Sequence, residues 1–140
     1  MPKRKITITT GTRAEYGLLR PVLQEIIKNK NLQLFLIVTG THLSKKHGMT
    51  INEIKKDGFK IFQTMEFLPE KNTSFHITKS LGNGIINFGK IFNKIKPDIN
   101  VILGDRPEVL ASAISAYTMN IPNAHIHGGD VSGNIDEYTR

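Results

Sequence analysis

The chain has 140 residues, 39% of them hydrophobic, with a net charge of +7 and no cysteine. That length gives one domain a proper core, no run approaches the roughly 18 apolar residues of a membrane span, and the lack of cysteine excludes disulfides and thiolate chemistry and disfavours a structural zinc site. The charge sits on scattered lysines such as Lys28, Lys30, Lys45, Lys46, Lys55 and Lys56, not interleaved with aromatics, which describes a solvated surface rather than a nucleic-acid groove.

After Pro97 the only basic residues are Arg106 and Arg140, against six carboxylates. A basic domain of this kind suits a small phosphate-bearing ligand. Met1-Pro-Lys-Arg-Lys5 runs straight into a strand with no apolar leader core, which predicts a cytoplasmic protein.

Lys5 to Thr10 alternates Ile and Thr and predicts a first strand, closed by Thr10-Gly-Thr-Arg13. Leu18, Leu19, Val22, Leu23, Ile26 and Ile27 then recur at helical spacing, and the helix frays near Asn29 to Asn31. Leu32 to Thr39 reads as one apolar run, the mark of a strand covered on both faces, and ends at Thr39-Gly-Thr-His42. Leu43 to Thr50 reads as a polar loop, and Ile51 to Lys56 as a short helix stopped by Asp57-Gly58. Phe59 to Met65 is a third strand and Glu66 to Ser74 a loop.

Phe75 to Lys96 predicts a long helix, in which Gly82, Gly84 and Gly89 mark close packing or a kink. Ile99 to Leu103 is a short β-branched strand that turns at Gly104 into Asp105-Arg106, and Pro107 suits the first turn of the Ala-rich helix that runs to Met119. Ile121 to Ile126 is a fifth strand, ending at His127-Gly-Gly-Asp130. Val131 to Arg140 is a polar loop that enters a helix near Asp136 and Glu137.

Strands alternating with helices predict an α/β fold, a Rossmann-like parallel sheet with helices on both faces. The carboxyl ends of the strands then share one edge, which gathers Arg13, His42, Asp105, Arg106, His125, His127, Asp130 and Asp136 near one crevice. Arg13 could hold a phosphate through its planar fork with help from backbone N–H groups beside Gly11, or simply cap a turn. The glycine pattern is not G-x-G-x-x-G and no Walker lysine follows it, so dinucleotide and nucleoside-triphosphatase readings lose support. Asp105 and Arg106 are either ligand-facing or a helix N-cap beside a solvated arginine. His125, His127 and Asp130 suit proton transfer better than metal ligation, since no H-E-x-x-H frame exists, and histidines that only satisfy backbone groups are the third option.

Taken together, four stretches resemble the hydrolysing UDP-N-acetylglucosamine 2-epimerases of sialic-acid and related nonulosonate synthesis. They are Gly11-Thr-Arg-Ala-Glu-Tyr-Gly-Leu-Leu19, Thr39-Gly-Thr-His-Leu-Ser44 with Gly48-Met-Thr50, Gly104-Asp-Arg106, and His125-Ile-His-Gly-Gly-Asp-Val-Ser-Gly133 through Ile135-Asp-Glu137 to Arg140. The resemblance implies a glycosyltransferase-B-like enzyme with two Rossmann-like domains and a cleft between them. Residues 1–140 would form most of the N-terminal domain, a single but incomplete Rossmann-like unit, with a C-terminal domain that makes most nucleotide contacts lying outside this chain.

The implied reaction removes the proton from C2 of the sugar, expels UDP from C1 to leave a glycal, and adds water with inversion at C2. It needs no metal or redox cofactor. Its substrate would be UDP-N-acetylglucosamine or a GDP- or diacetamido-sugar variant, in an enzyme that is homo-oligomeric at full length. By position, Asp105 matches the family's essential aspartate and Asp136 the acidic residue of a later pair. His127 stands where several relatives carry a catalytic glutamate, so either it or Asp130 supplies that function. Arg13, His42 and Arg106 are the implied substrate contacts. The alternatives are a non-catalytic sugar-nucleotide-binding module and a non-hydrolysing epimerase.

Overall fold

The structure is a computed structural model that describes residues 1–140. Five strands, β1 (Arg4–Thr10), β2 (Leu32–Thr39), β3 (Ile61–Met65), β4 (Ile99–Leu103) and β5 (Asn123–Ile126), form one sheet in the order β3-β2-β1-β4-β5. Every pairing is parallel. Four helices connect them: α1 (Arg13–Lys28), α2 (Ile51–Lys56), α3 (Ser74–Ile95) and α4 (Pro107–Thr118). No helix is long and apolar enough to cross a membrane.

The apolar periodicity decides which helix covers which face. Tyr16, Leu19, Leu23 and Ile26 of α1, with Ile51 and Ile54 of α2, close one core against Ile6, Ile8, Leu36 and Val38. Phe88, Ile91, Phe92 and Ile95 of α3, with Ala111 and Ala116 of α4, close a second core over Ile37 and Met65. The sheet is therefore covered on both sides, as its β-branched strands require.

Of the three glycines in α3, Gly84 is the one that marks close packing. A Cβ there would overlap the Phe67 ring and meet Ala111, whereas Gly82 and Gly89 face open space. A polar network stitches the second half of the sheet together under these helices. Thr7 Oγ1 donates to Asn100 Oδ1 at 3.0 Å, and Asn100 Nδ2 donates to Ser112 Oγ at 3.0 Å and Asn123 Oδ1 at 2.9 Å. Asn100 is fully buried and thus fixes β4 against both neighbouring strands and α4.

Three sequence expectations shift. The segment expected as an open loop, 43–50, is wound into short 3-10 turns, Gly40–Leu43 and Lys45–His47. β3 starts at Ile61, because pairing with β2 begins there across an irregular register, while Phe59 buries its ring before the strand. β5 starts at Asn123, since the Ile121 N–H still donates to Ala116 at the end of α4 and Pro122 has no N–H to give a ladder.

Candidate active site

The topology itself selects a place. β1 continues into α1 on one face and β4 into α4 on the other, so the chain parts between these central strands and leaves a crevice beyond their carboxyl ends. The turn after β1 carries Gly11, Thr12 and Arg13; the turn after β4 carries Gly104, Asp105 and Arg106.

The first turn is closed by its own helix. Thr12 caps α1 by accepting from the Glu15 N–H, and Glu15 Oε2 reaches back to accept from the Gly11 N–H at 2.9 Å and the Thr12 N–H at 3.1 Å. The Gly11 and Thr12 N–H groups are thus engaged by Glu15, so neither of these two is free to assist Arg13 on a phosphate. Arg13 itself is 73% exposed and bonds Glu53 of α2 through Nε at 3.1 Å.

The second turn needs Gly104 in the left-handed region at φ +81°. Asp105 is not the helix cap: Arg106 occupies the N-cap position of α4, with no side-chain cap bond, and Pro107 follows. Asp105 Oδ2 instead accepts from Arg140, at 2.8 Å from Nε and 2.5 Å from Nη2. Arg140 Nη1 also donates to the Asp130 carbonyl at 3.3 Å, and the Arg140 carbonyl accepts from the Gly129 N–H. One guanidinium therefore staples the turn after β4 to the turn after β5. Arg106 Nε donates to Glu108 Oε1 at 2.8 Å.

Beyond β5 the two histidines diverge. His125 Nε2 donates to the Gly104 carbonyl at 2.6 Å, so this ring satisfies backbone, the third of the options the sequence left open. His127, in the left-handed region at φ +64°, pairs through Nδ1 with Asp130 Oδ2 at 2.8 Å, both side chains more than half exposed. A carboxylate only accepts, so Nδ1 is the donor and Nε2 is left free for a ligand.

His42 requires a correction. It is fully buried, hydrogen-bonded to Thr10 Oγ1 at 2.9 Å and Thr50 Oγ1 at 2.7 Å, and meets the Tyr16 ring edge-on. Burial pushes its pKa down to about 4, so the ring is neutral. It ties the turn after β2 to β1 and offers nothing to the crevice.

The last segment enters a short 3-10 helix at Ile135–Tyr138, with Asp136 and Glu137 in its first turn as expected. Asp136 uses its backbone N–H on Asn134 Oδ1, and its carboxylate makes no hydrogen bond within the chain. Its neighbour Glu137 accepts from the Ser132 and Gly133 N–H groups, which hold its carboxyl below the usual range. The sequence places Glu137 at a helix start without giving it a role, although Ser132-Gly133 five and four residues before it is a readable anion-cradling turn.

Two further carboxyls were missed. Glu15 is 7% exposed and bonds the turn after β1, and Glu108 is 2% exposed and bonds Arg106 in the turn after β4. Burial raises Glu15 to about 7, reinforced by the nearby Glu108 and opposed by its backbone bonds. The Thr12-x-x-Glu15 spacing is a capping box visible in sequence; the burial of Glu108 had no such signal.

The geometry can be set beside known proteins. A family profile described as UDP-N-acetylglucosamine 2-epimerase matches residues 24–140. The chain is 42% identical over 137 residues to the UDP-N,N'-diacetylbacillosamine 2-epimerase (hydrolyzing) of Legionella pneumophila, covering 98% of this chain and 36% of that protein. It is likewise 42% identical over 141 residues to the GDP/UDP-N,N'-diacetylbacillosamine 2-epimerase (hydrolyzing) of Campylobacter jejuni, covering 100% and 36%. The UDP-N-acetylglucosamine 2-epimerase of Neisseria meningitidis is 34% identical over 137 residues, covering 98% and 36%. The chain thus spans about a third of the length of the curated relatives it matches. Among solved structures, that of the Methanocaldococcus jannaschii UDP-GlcNAc 2-epimerase in complex with UDP-GlcNAc and UDP superposes with a TM-score of 0.80 at 27% identity, covering 97% of this chain and 36% of that one.

Proposed function

This chain belongs to the UDP-N-acetylglucosamine 2-epimerase family, and from that premise we propose that it is the N-terminal Rossmann-like domain of a longer, glycosyltransferase-B-like hydrolysing 2-epimerase. The reaction converts a UDP-linked 2-acetamido sugar into the free 2-epimer and UDP, with UDP-N-acetylglucosamine giving N-acetylmannosamine for sialic or nonulosonic acid synthesis. The observation that carries this reading is the Arg140 staple, which brings Asp105 and the His127–Asp130 pair to adjacent strand ends.

In this reading the chain's residues divide the proton work. Asp130 fixes His127 with Nδ1 protonated, so Nε2 is a lone pair able to take or return a proton at C2. Asp105, held by Arg140, is the second carboxylate and acts on the opposite step. Arg106 and Arg13 are the cations available to the diphosphate as UDP departs, and by stabilising the negative charge that develops on that group they ease the elimination. Asp136 is the acidic residue of the third loop and completes the proposed set. His42, buried and bonded to Thr10 and Thr50, is left out of the proposed set. The same reading carries a cytoplasmic location, a homo-oligomeric full-length enzyme and no metal or redox cofactor.

One observation favours a second substrate. The two relatives at 42% identity are named for UDP-N,N'-diacetylbacillosamine, whereas the Neisseria meningitidis protein named for UDP-N-acetylglucosamine stands at 34%. A diacetamido sugar is therefore the runner-up. The test is Asp105→Asn in the full-length protein, assayed on both nucleotides for UDP release. Turnover is expected to fall by more than about 100-fold on the true substrate, the scale of a lost proton-transfer group, with the melting temperature retained. Near-normal turnover would overturn the assignment.

A further inference from the structure

Two buried carboxyl groups, Glu108 and Glu15, stand at the turns after β4 and β1, and one of them, Glu108, holds the Arg106 guanidinium. Glu108 Oε1 accepts from Arg106 Nε, and the same oxygen occupies the space a Cβ on Gly11 would need. It also lies 3.1 Å from where a Cβ on Gly40 would stand, and Gly40 itself sits at φ +61°. Glu108 thus reaches from the first turn of α4 to beneath the end of β1, a route open only because residues 11 and 40 are glycine. Glu15 lies near enough to Glu108 for the two carboxyls to interact electrostatically. One of its oxygens is engaged by the Gly11 and Thr12 amides, and the other, Oε1, is buried without a partner.

Both side chains are buried, and Glu108 is the one that reaches Arg106, at 2.8 Å. Burial raises the Glu15 pKa to about 7, and the nearby Glu108 adds to the rise. Arg106 remains 43% exposed. Its Nε is fixed, while its Nη groups make no hydrogen bond within the chain.

We propose that Glu108 is a positioning residue, which holds the Arg106 guanidinium at the parting of β1 and β4 so that its Nη groups meet the diphosphate of the sugar nucleotide. This rests on the reading above that Arg106 is a substrate contact. An exposed arginine loses much side-chain freedom when it binds an anion; a buried carboxylate on Nε removes that freedom beforehand and leaves the outer fork for the ligand. The arrangement also explains why a carboxyl is tolerated in a position with almost no access to solvent.

The test uses the full-length protein, with UDP as the probe in calorimetric titration. Glu108→Gln is expected to raise the Kd for UDP by about tenfold, the scale of one charge-assisted hydrogen bond. Arg106→Ala should weaken UDP at least as much, and the double variant no more than Arg106→Ala alone, because Glu108 acts only through Arg106. A merely structural role for Glu108 would make the two losses add. Gly11→Ala, which displaces Glu108, should reproduce the Glu108→Gln loss. If Glu108→Gln does not fold, Arg106→Lys takes its place: it keeps the charge but lacks the fork, and is expected to lose affinity like Glu108→Gln.

Additive losses, or unchanged UDP affinity in a folded Glu108→Gln, would overturn the positioning role while Arg106→Ala still weakens binding. If Arg106→Ala itself binds UDP normally, the substrate contact fails and the proposal with it.

Discussion

Two buried groups should titrate against each other in the stability of this protein. His42 is lowered from 6.5 to about 4 by burial, and Glu15 is raised from 4.5 to about 7, also by burial. For His42 the unfolded chain binds the extra proton between about pH 4 and 6.5, so stability falls on acidification through that window. For Glu15 the folded chain holds the extra proton between 4.5 and about 7, so stability rises on acidification. Each shift corresponds to about 3 kcal/mol in full, and each changes stability by about 2 kcal/mol between pH 7 and pH 5, with opposite signs.

The two terms cancel, and the pair by itself leaves wild-type stability nearly flat across that range. Removing either group unmasks the other. Glu15→Gln should lose about 2 kcal/mol between pH 7 and pH 5, His42→Gln should gain about 2 kcal/mol, and the double variant should be flat again. Urea unfolding at half-unit pH intervals measures this, and the slope with pH is the readout, since each substitution also shifts stability by a constant. Identical slopes for the two single variants would refute the burial argument for both groups.

Other consequences follow from packing. Asn100→Ala should cost about 2–3 kcal/mol, because Thr7, Ser112 and Asn123 lose a buried partner together, measured as a lower urea midpoint. Gly84→Ala should destabilise by about 1–3 kcal/mol through its clash with Phe67, whereas Gly82→Ala, in open space on the same helix, should stabilise by up to about 1 kcal/mol. Opposite shifts in melting temperature are the check. Arg140→Ala should lower turnover of the full-length protein by releasing Asp105 from the turn after β5, with little change in UDP affinity.

The alternation of apolar runs and glycine turns was enough to read the parallel sheet, because period and punctuation are local properties. Ile6 and Ile8 announce β1 and Leu19, Leu23 and Ile26 announce α1 without any tertiary information. The carboxyl-edge crevice followed from topology alone. What sequence could not show was direction. His42 follows its strand in the same style as Arg13, yet its ring turns inward to Thr10 and Thr50, and only three-dimensional packing decides that. Glu108 carries no sequence signal of its own, and its burial depends on two glycines nearly a hundred and nearly seventy residues earlier in the chain. The staple between Asp105 and Arg140 joins residues 35 apart and was likewise invisible to spacing.

The most direct measurement follows the full-length protein acting on UDP-N-acetylglucosamine, and in parallel on UDP-N,N'-diacetylbacillosamine, in deuterated water by proton NMR. The account expects release of UDP together with a free sugar inverted at C2 and carrying deuterium there, since the C2 proton is removed before water adds. A 2-epimer still attached to its nucleotide, or a free sugar that keeps its original C2 proton, would contradict it.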